Sequence, residues 1–343
     1  MKIRIVIGVS LVVVVLAMVN VFVSHAQQAV GVSSSPPAGN GAPPLSNPLK
    51  VALLKWYQAN TALISFPVGS QPYGVAFDGQ NVWTANFGDG TVSKVRANDG
   101  ILLGTFTAIN APYGVTFDGA NVWVSGYGGN VAKLRSSDGK NLGTFPVAPG
   151  PGWMAFDGEA IWVPNAVSQG NGTVVKLRAS DGTNLGSFTV GVAPIAAAFD
   201  GANVWVTNQT SDINPGTVTK LRASDGVVLG TFNVGVTPLG IVFDGANIWT
   251  ANNGDGTVTK LRASDGALLG TFAVGGLPYG LSFDGQNIWV SGSSAVTELR
   301  ASNGNVVGQF YCVQCQSNAS TGIAFDGANV WVSLLNSNAV AKL

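Results

Sequence analysis

Charge is scarce in this chain. Lys, Arg, Asp and Glu make up 10% of the 343 residues, and 17 basic residues are balanced by 17 acidic ones. With no net field, nothing draws nucleic acid or another polyanion to the protein as a whole. Long apolar runs are confined to one place: Ile5 to Val23, preceded by Lys2 and Arg4 and followed by Ser24 and Ala26. A basic start, an apolar stretch and small residues at a cleavage position predict a signal peptide over residues 1–26, with an uncleaved membrane anchor as the alternative. No Cys follows the run, which argues against a lipid-anchored lipoprotein. Histidine is almost missing. The single one, His25, falls inside that leader, so the remaining chain lacks the usual base of neutral-pH chemistry. Cysteine is limited to Cys312 and Cys315 in "YCVQC". A zinc-type site needs more ligands than one such pair, and a thioredoxin-type motif would open a helix, which nothing here suggests. In an exported protein the pair is expected to form a small disulfide.

Residues 27–48, "QAVGVSSSPPAGNGAPPLSNP" and its neighbours, have Leu45 as their one large apolar side chain apart from valine and read as a Pro/Ser/Gly-rich linker. From residue 49 onward the chain repeats. Phe-Asp-Gly begins at Phe77, Phe117, Phe156, Phe199, Phe243, Phe283 and Phe325, and a Trp follows each Phe by six residues, from Trp83 to Trp331. One unit, "PLGIVFDGANIWTANNGDGTVTKLRASDGALLGTFAVG" (residues 238–275), divides into four short strand-like pieces joined by Asp-Gly turns. Four antiparallel strands per period of about 40 to 45 residues predict propeller blades. The first strand is small near its start, as convergence on an axis requires, and Trp and Phe on later strands fill the wedge between blades. The seventh unit stops after three strands at "AVAKL", while "LKWYQANTALISFPVG" (residues 54–69) aligns with a fourth strand. The expectation is an all-β, seven-bladed β-propeller over residues 49–343, with an N-terminal strand closing the last blade and leaving no unpaired seam.

Repeats of the form "FDGANVWVTN…TVTKLRASDG…LGTFNVG" resemble the YncE-like or YVTN-type propeller repeats of exported bacterial proteins. They are also similar to those of the streptogramin (virginiamycin B) lyase group. The resemblance covers nearly the whole chain after the leader and implies the fold; propellers host many activities. It implies for a lyase a His general base with an acidic, metal-assisted site, and no position after His25 can supply that His. It implies for the YncE-like group an occasional nucleic-acid role. The recurring pairs Lys94/Arg96 to Lys260/Arg262 could form a polyanion ring, but balanced acids and the lack of interleaved aromatics favour solvated or inter-blade contacts.

Acids are mostly architectural. Seven Asp sit in the triplets, five in a second Asp-Gly turn, and Asp89 and Asp255 in matching "GDGT" loops; Glu159, Asp212 and Glu298 belong to single blades. No motif asks for a cofactor or a metal, and no Gly-rich phosphate loop stands at a strand–helix junction. One face of the propeller should carry the uniform Asp-Gly turns. The other carries unequal second-to-third loops, from "SGSSA" to "TNQTSDINPGT", and the blade-to-blade loops. Specificity belongs on the unequal face. There, Tyr73, Tyr113, Leu239 and Tyr279 stand four residues before their Phe, and Trp153 takes a place held by Gly in five blades and Ala in one. These five are the candidate ligand-binding residues, able to stack on a sugar, peptide or flat ligand. The sequence thus reads as a secreted or periplasmic, monomeric, non-catalytic binding module for a protein, carbohydrate or small molecule. A streptogramin-lyase-like or metal-assisted enzyme acting on the same face is the alternative. Nucleic acid is not the expected partner, and membrane contact would come only through an uncleaved leader.

Overall fold

In the computed structural model, residues 64–167, 170–210, 213–311 and 320–343 are described. The leader, the linker, Asp212, Cys312 and Cys315 lie outside them. Seven four-stranded antiparallel sheets follow one another as blades. Blade 1 is Pro72–Phe77, Asn81–Asn86, Thr91–Arg96 and Leu102–Thr107. The plan recurs up to blade 6, Pro278–Phe283 through Val306–Phe310. Blade 7 combines Ser320–Phe325, Val330–Leu334 and Ala339–Lys342 with Ile64–Pro67 from the other end of the sequence. Ile64 pairs with Lys342 and Pro67 with Ala339. The closing strand behaves as a fourth strand in every respect. Phe66 lies 5.5 Å from the Trp331 ring, as Phe106 lies 5.7 Å from Trp83. Phe66 also covers Gly100 of blade 1, as Phe106 covers Gly139 of blade 2, so a side chain at either glycine would strike the ring.

The repeated residues form one bonded unit per blade. In blade 1, Asp78 Oδ1 accepts the main-chain N–H groups of Gln80 and Asn81, and Oδ2 accepts Trp83 Nε1–H at 2.7 Å. The same indole-to-carboxylate bond, 2.7 to 2.8 Å, recurs in the other six blades. The Asp is therefore more than a turn former: it satisfies a buried indole that would otherwise cost free energy. Six of the seven Trp are fully buried. Over them lies the third-strand Lys. Lys94 Nζ is 5.2 Å from the Trp83 ring centre and donates to the main-chain oxygens of Ser136 and Ser137 in the next blade. Lys133, Lys176, Lys220, Lys260 and Lys342 do the same for their neighbours. The basic ring is thus an inter-blade strut, and the companion Arg pairs with the Asp of its own turn, as Arg96 with Asp99. Blade 6 departs from the rule. Glu298 stands opposite Trp289 where other blades have Lys, and burial, with the Asp284 charge added and Arg300 opposing, pushes its carboxyl up.

Candidate functional site: the channel mouth

The first strands converge on the axis so closely that they touch across blades. A Cβ on Gly74 would lie 2.5 Å from the Tyr113 carbonyl oxygen, and one on Gly114 2.7 Å from the Gly152 oxygen. Glycine is therefore a packing requirement in these blades, while blade 4 carries Ala196 at the same position. Four blades add a bracket there. Ser333 Oγ accepts from Gly322 N–H and donates to the Tyr73 carbonyl of blade 1 at 2.6 Å. Ser125, Thr207 and Ser291 make the equivalent pair of bonds. Ala85, Pro164 and Ala251 occupy the place in blades 1, 3 and 5.

Blade 3 solves the same problem differently. Its first strand is reduced to Ala155–Phe156, and Gly152, one residue earlier than elsewhere, makes the close approach to the Ile195 carbonyl. Trp153 then leaves its own sheet and bonds to blade 4. Its N–H donates to the Ile195 oxygen at 2.8 Å, its carbonyl accepts from Ala197 N–H at 2.9 Å, and the pair forms a parallel bridge with Ala196. This shift makes room for a large side chain at the axis.

The Trp153 ring is half-buried and lies parallel to Tyr113, 7° between planes and 5.7 Å between centres. Tyr113 in turn meets Tyr73 at 5.1 Å, and Tyr73 meets Phe87 at 5.5 Å. Phe87 contacts Tyr127 at 6.4 Å. Phe87 and Tyr127 belong to second-to-third loops, so the arc sits on the face of unequal loops, over blades 1 to 3. Burial raises the phenol of Tyr113 well above its usual value, and the neighbouring phenols of Tyr73, Tyr127 and Tyr279 raise it further. Tyr73 is raised by burial and then by Tyr279. The mouth thus carries neutral hydroxyls across the physiological range. Tyr279 joins this group electrostatically. Leu239 is half-buried on the blade-5 side, its carbonyl accepting from Thr207, and no ring contact links it to the arc.

Below the arc is a cavity of about 160 Å³ on the axis. Every blade contributes an apolar side chain, from Val75 to Ile323, blade 3 adding Trp153 beside Met154 and blade 4 giving Ala196 and Ala197, and glycine main chain fills much of the remaining wall. Trp153 lines it, and its Nε1–H is buried with no acceptor among the described residues. Thr84 Oγ1, Asn86 Oδ1 and Asn165 Oδ1 are also unpaired among the described residues; for the first two, the matching Thr250 and Asn252 bond to each other at 3.2 Å, so a rotation would join them. Glu159 is not part of this site. It is exposed in the blade-3 Phe-Asp-Gly turn, on the opposite face, where its N–H donates to Asp157. An ion in the channel held by Glu159 is therefore not supported by its position. Among the described residues, no group of three or more His, Cys, Asp or Glu is gathered to hold a metal.

The repeat spacing put Tyr73, Tyr113, Leu239 and Tyr279 at one repeat position on the mouth face, and ring contacts join Tyr73, Tyr113 and Trp153 there. It missed Phe87 and Tyr127, each four residues after its Trp. Aromatic residues at that loop position in blades 1 and 2 alone were the available signal.

No family model matches the chain. No curated protein matches it either. Among solved structures, a hydrazine synthase from Kuenenia stuttgartiensis superposes with a TM-score of 0.71 at 15% identity, over 80% of this chain and 95% of that one. A streptogramin B lyase structure superposes with a TM-score of 0.66 at 18% identity, over 82% of this chain and 96% of that one. At these identities the likeness speaks for fold and not for activity. The chain is a seven-bladed β-propeller, similar in architecture to both of these propellers, with the resemblance to the streptogramin lyase group found at the level of fold.

Proposed function

We propose that the protein is an exported, non-catalytic binding module, secreted or periplasmic, that holds its ligand at the channel mouth against Tyr73, Tyr113 and Trp153. One observation carries this reading. The rings of Trp153, Tyr113 and Tyr73 follow one another at 5.7 and 5.1 Å between centres beside the axial cavity that Trp153 lines, and such a half-buried aromatic surface can stack on a ligand. The described residues lining the cavity are apolar side chains and glycine main chain, which suits binding of an apolar group. The lyase alternative draws on the shared fold, but the resemblance implies a His base, and no His follows His25. Export also underlies the proposed Cys312–Cys315 disulfide. The test is crystallographic: crystals soaked with a fragment mixture should show density against Trp153 and Tyr113. Density confined to the Asp-Gly turn face or to the outer strands would refute the reading.

A further inference from the structure

One inter-blade cleft breaks the rule that holds at the other six. In blades 1 to 5 and 7 a third-strand lysine places its ammonium 4.9 to 5.5 Å from the centre of its Trp ring and donates to main-chain oxygens of the next blade. In blade 3 the same ammonium also lies 3.7 Å from Asp157 Oδ2. A Trp face beside a carboxylate thus receives an ammonium in blade after blade. Blade 6 keeps the ring and the carboxylate and lacks the lysine. Asp284 accepts from Trp289 Nε1–H at 2.7 Å, as in the other blades. Glu298 stands in the lysine position, paired across the sheet with Trp289 and Gly308, so its side chain shares their face. No hydrogen bond or ion pair engages Glu298 among the described residues. Trp289, alone of the seven repeated Trp, is only partly buried. It packs towards Ile323 and Val332 of blade 7. That blade takes its fourth strand from the other end of the sequence, so no described third-to-fourth turn covers the ring there. An anion in this cleft would meet two like charges, and a neutral alkyl group would leave both carboxylates without a counter-charge. Of the described basic groups, the exposed Arg300 is the one whose charge bears on Glu298.

We propose that the cleft between blades 6 and 7 binds a primary alkylammonium group, its charge over the Trp289 ring and beside Asp284 and Glu298, where the other blades hold their own lysine. The site is separate from the channel mouth and stands whether or not the mouth takes a ligand. The ammonium has two sources: an amine or lysine from another molecule, or Lys55 of this chain, which lies outside the described residues.

The experiment follows the indole N–H resonances of the ¹⁵N-labelled full chain, with the Trp289 signal assigned by its loss in Trp289→Phe. n-Butylammonium is titrated beside n-butanol, butyrate and calcium ion. Butylammonium is expected to move the Trp289 signal, and the other three to leave it in place. Glu298→Gln should weaken the amine about 2- to 5-fold, the worth of a partly exposed ion pair. Glu298→Lys rebuilds the strut of the other blades, so it should melt no lower than the parent and abolish the response. Lys55→Gln separates the sources. An equal response in Lys55→Gln and the parent assigns the site to an external amine, and a stronger one in Lys55→Gln assigns it to Lys55; either supports the site. No movement with butylammonium in either protein would overturn it, as would an equal response to butanol or an unchanged response in Glu298→Lys. Movement with calcium or butyrate and none with butylammonium would overturn the ligand class. If Glu298→Lys does not fold, butylammonium against butanol in the parent and in Lys55→Gln decides.

Discussion

The two faces of the propeller are built from the same repeat and treat it in opposite ways. On the turn face, each blade satisfies its own polar groups. Asp accepts from Trp and from two main-chain N–H groups in every blade, Lys covers the Trp and caps the next blade's carbonyls in every blade but the sixth, and Arg closes an i,i+3 pair in blades 1 to 5. On the mouth face the equivalent positions differ from blade to blade. Tyr73 and Tyr113 face Ile195 and Leu239 across the ring, the second-strand residue alternates between Ser or Thr and Ala or Pro, and one indole is left unpaired. Repetition marks where the fold is held. Departure from repetition, where it also leaves a polar group unsatisfied, marks where something else can be held.

The comparison is broken most severely at the seam. Deleting the chain through Pro67 removes the fourth strand of blade 7 and leaves the Val340 strand as an open edge, strips Phe66 from Trp331, and exposes Gly100. Loss of the cooperative melt, or aggregation, is expected. A truncated chain that stays monomeric and melts as the parent does would refute ring closure.

Acid weakens the turn face next. Burial opposes ionisation of Asp200, Asp284 and Asp326, but bonds from the Trp indole, two N–H groups and an Asn amide outweigh it and hold all three carboxyls below their ordinary value. A carboxyl depressed by folding stabilises the native state above its unfolded pKa, about 3.9, and that support is lost as pH falls through the folded value. The melting temperature should therefore hold down to about pH 4 and drop below it. A flat melting temperature from pH 5 to pH 2.5 would show that the Asp–Trp bonds contribute little.

A smaller effect sharpens the contrast on the mouth side. Ser333→Ala strands Gly322 N–H and removes the 2.6 Å donor from the Tyr73 carbonyl, which keeps the Thr321 hydroxyl at 3.2 Å, and should cost about 1–2 kcal/mol. The reverse change at the fully buried natural alanine, Ala85→Ser, should cost less than Ser333→Ala in denaturant unfolding, because it breaks no existing bond and its hydroxyl can take the bracket position that Ser125 fills in blade 2.

Much of this was legible in the sequence because a fixed period converts position into place. Phe-Asp-Gly and Trp spacing gave blade number, strand order and the closing strand, and put four of the five candidate residues at one mouth. The bonding inside the repeat was not legible: nothing in "FDGANVW" says that the Asp carboxylate reaches the indole, since that depends on a turn bringing residues five apart together. The Ser and Thr brackets escaped for a related reason. Ser, Thr and Ala alternate ordinarily along strands, and only the distance to the next blade's carbonyl gives them meaning. Trp153 was visible as a departure, but its one-residue shift onto blade 4 was not.

The central claim is that the turn face holds the fold and the mouth is free for a ligand. Blade 1 tests both with two variants of one strand, Asp78→Ala and Tyr73→Ala, melted side by side. Asp78 holds a buried indole and two main-chain N–H groups, whereas the Tyr73 ring, half-buried, touches Phe87 and Tyr113. Losing the Asp should cost about 3 kcal/mol and lower the melting temperature by roughly 6–12 °C, while losing the Tyr ring should lower it by no more than about 3 °C. Equal losses would contradict the account and make the aromatic arc a structural plug.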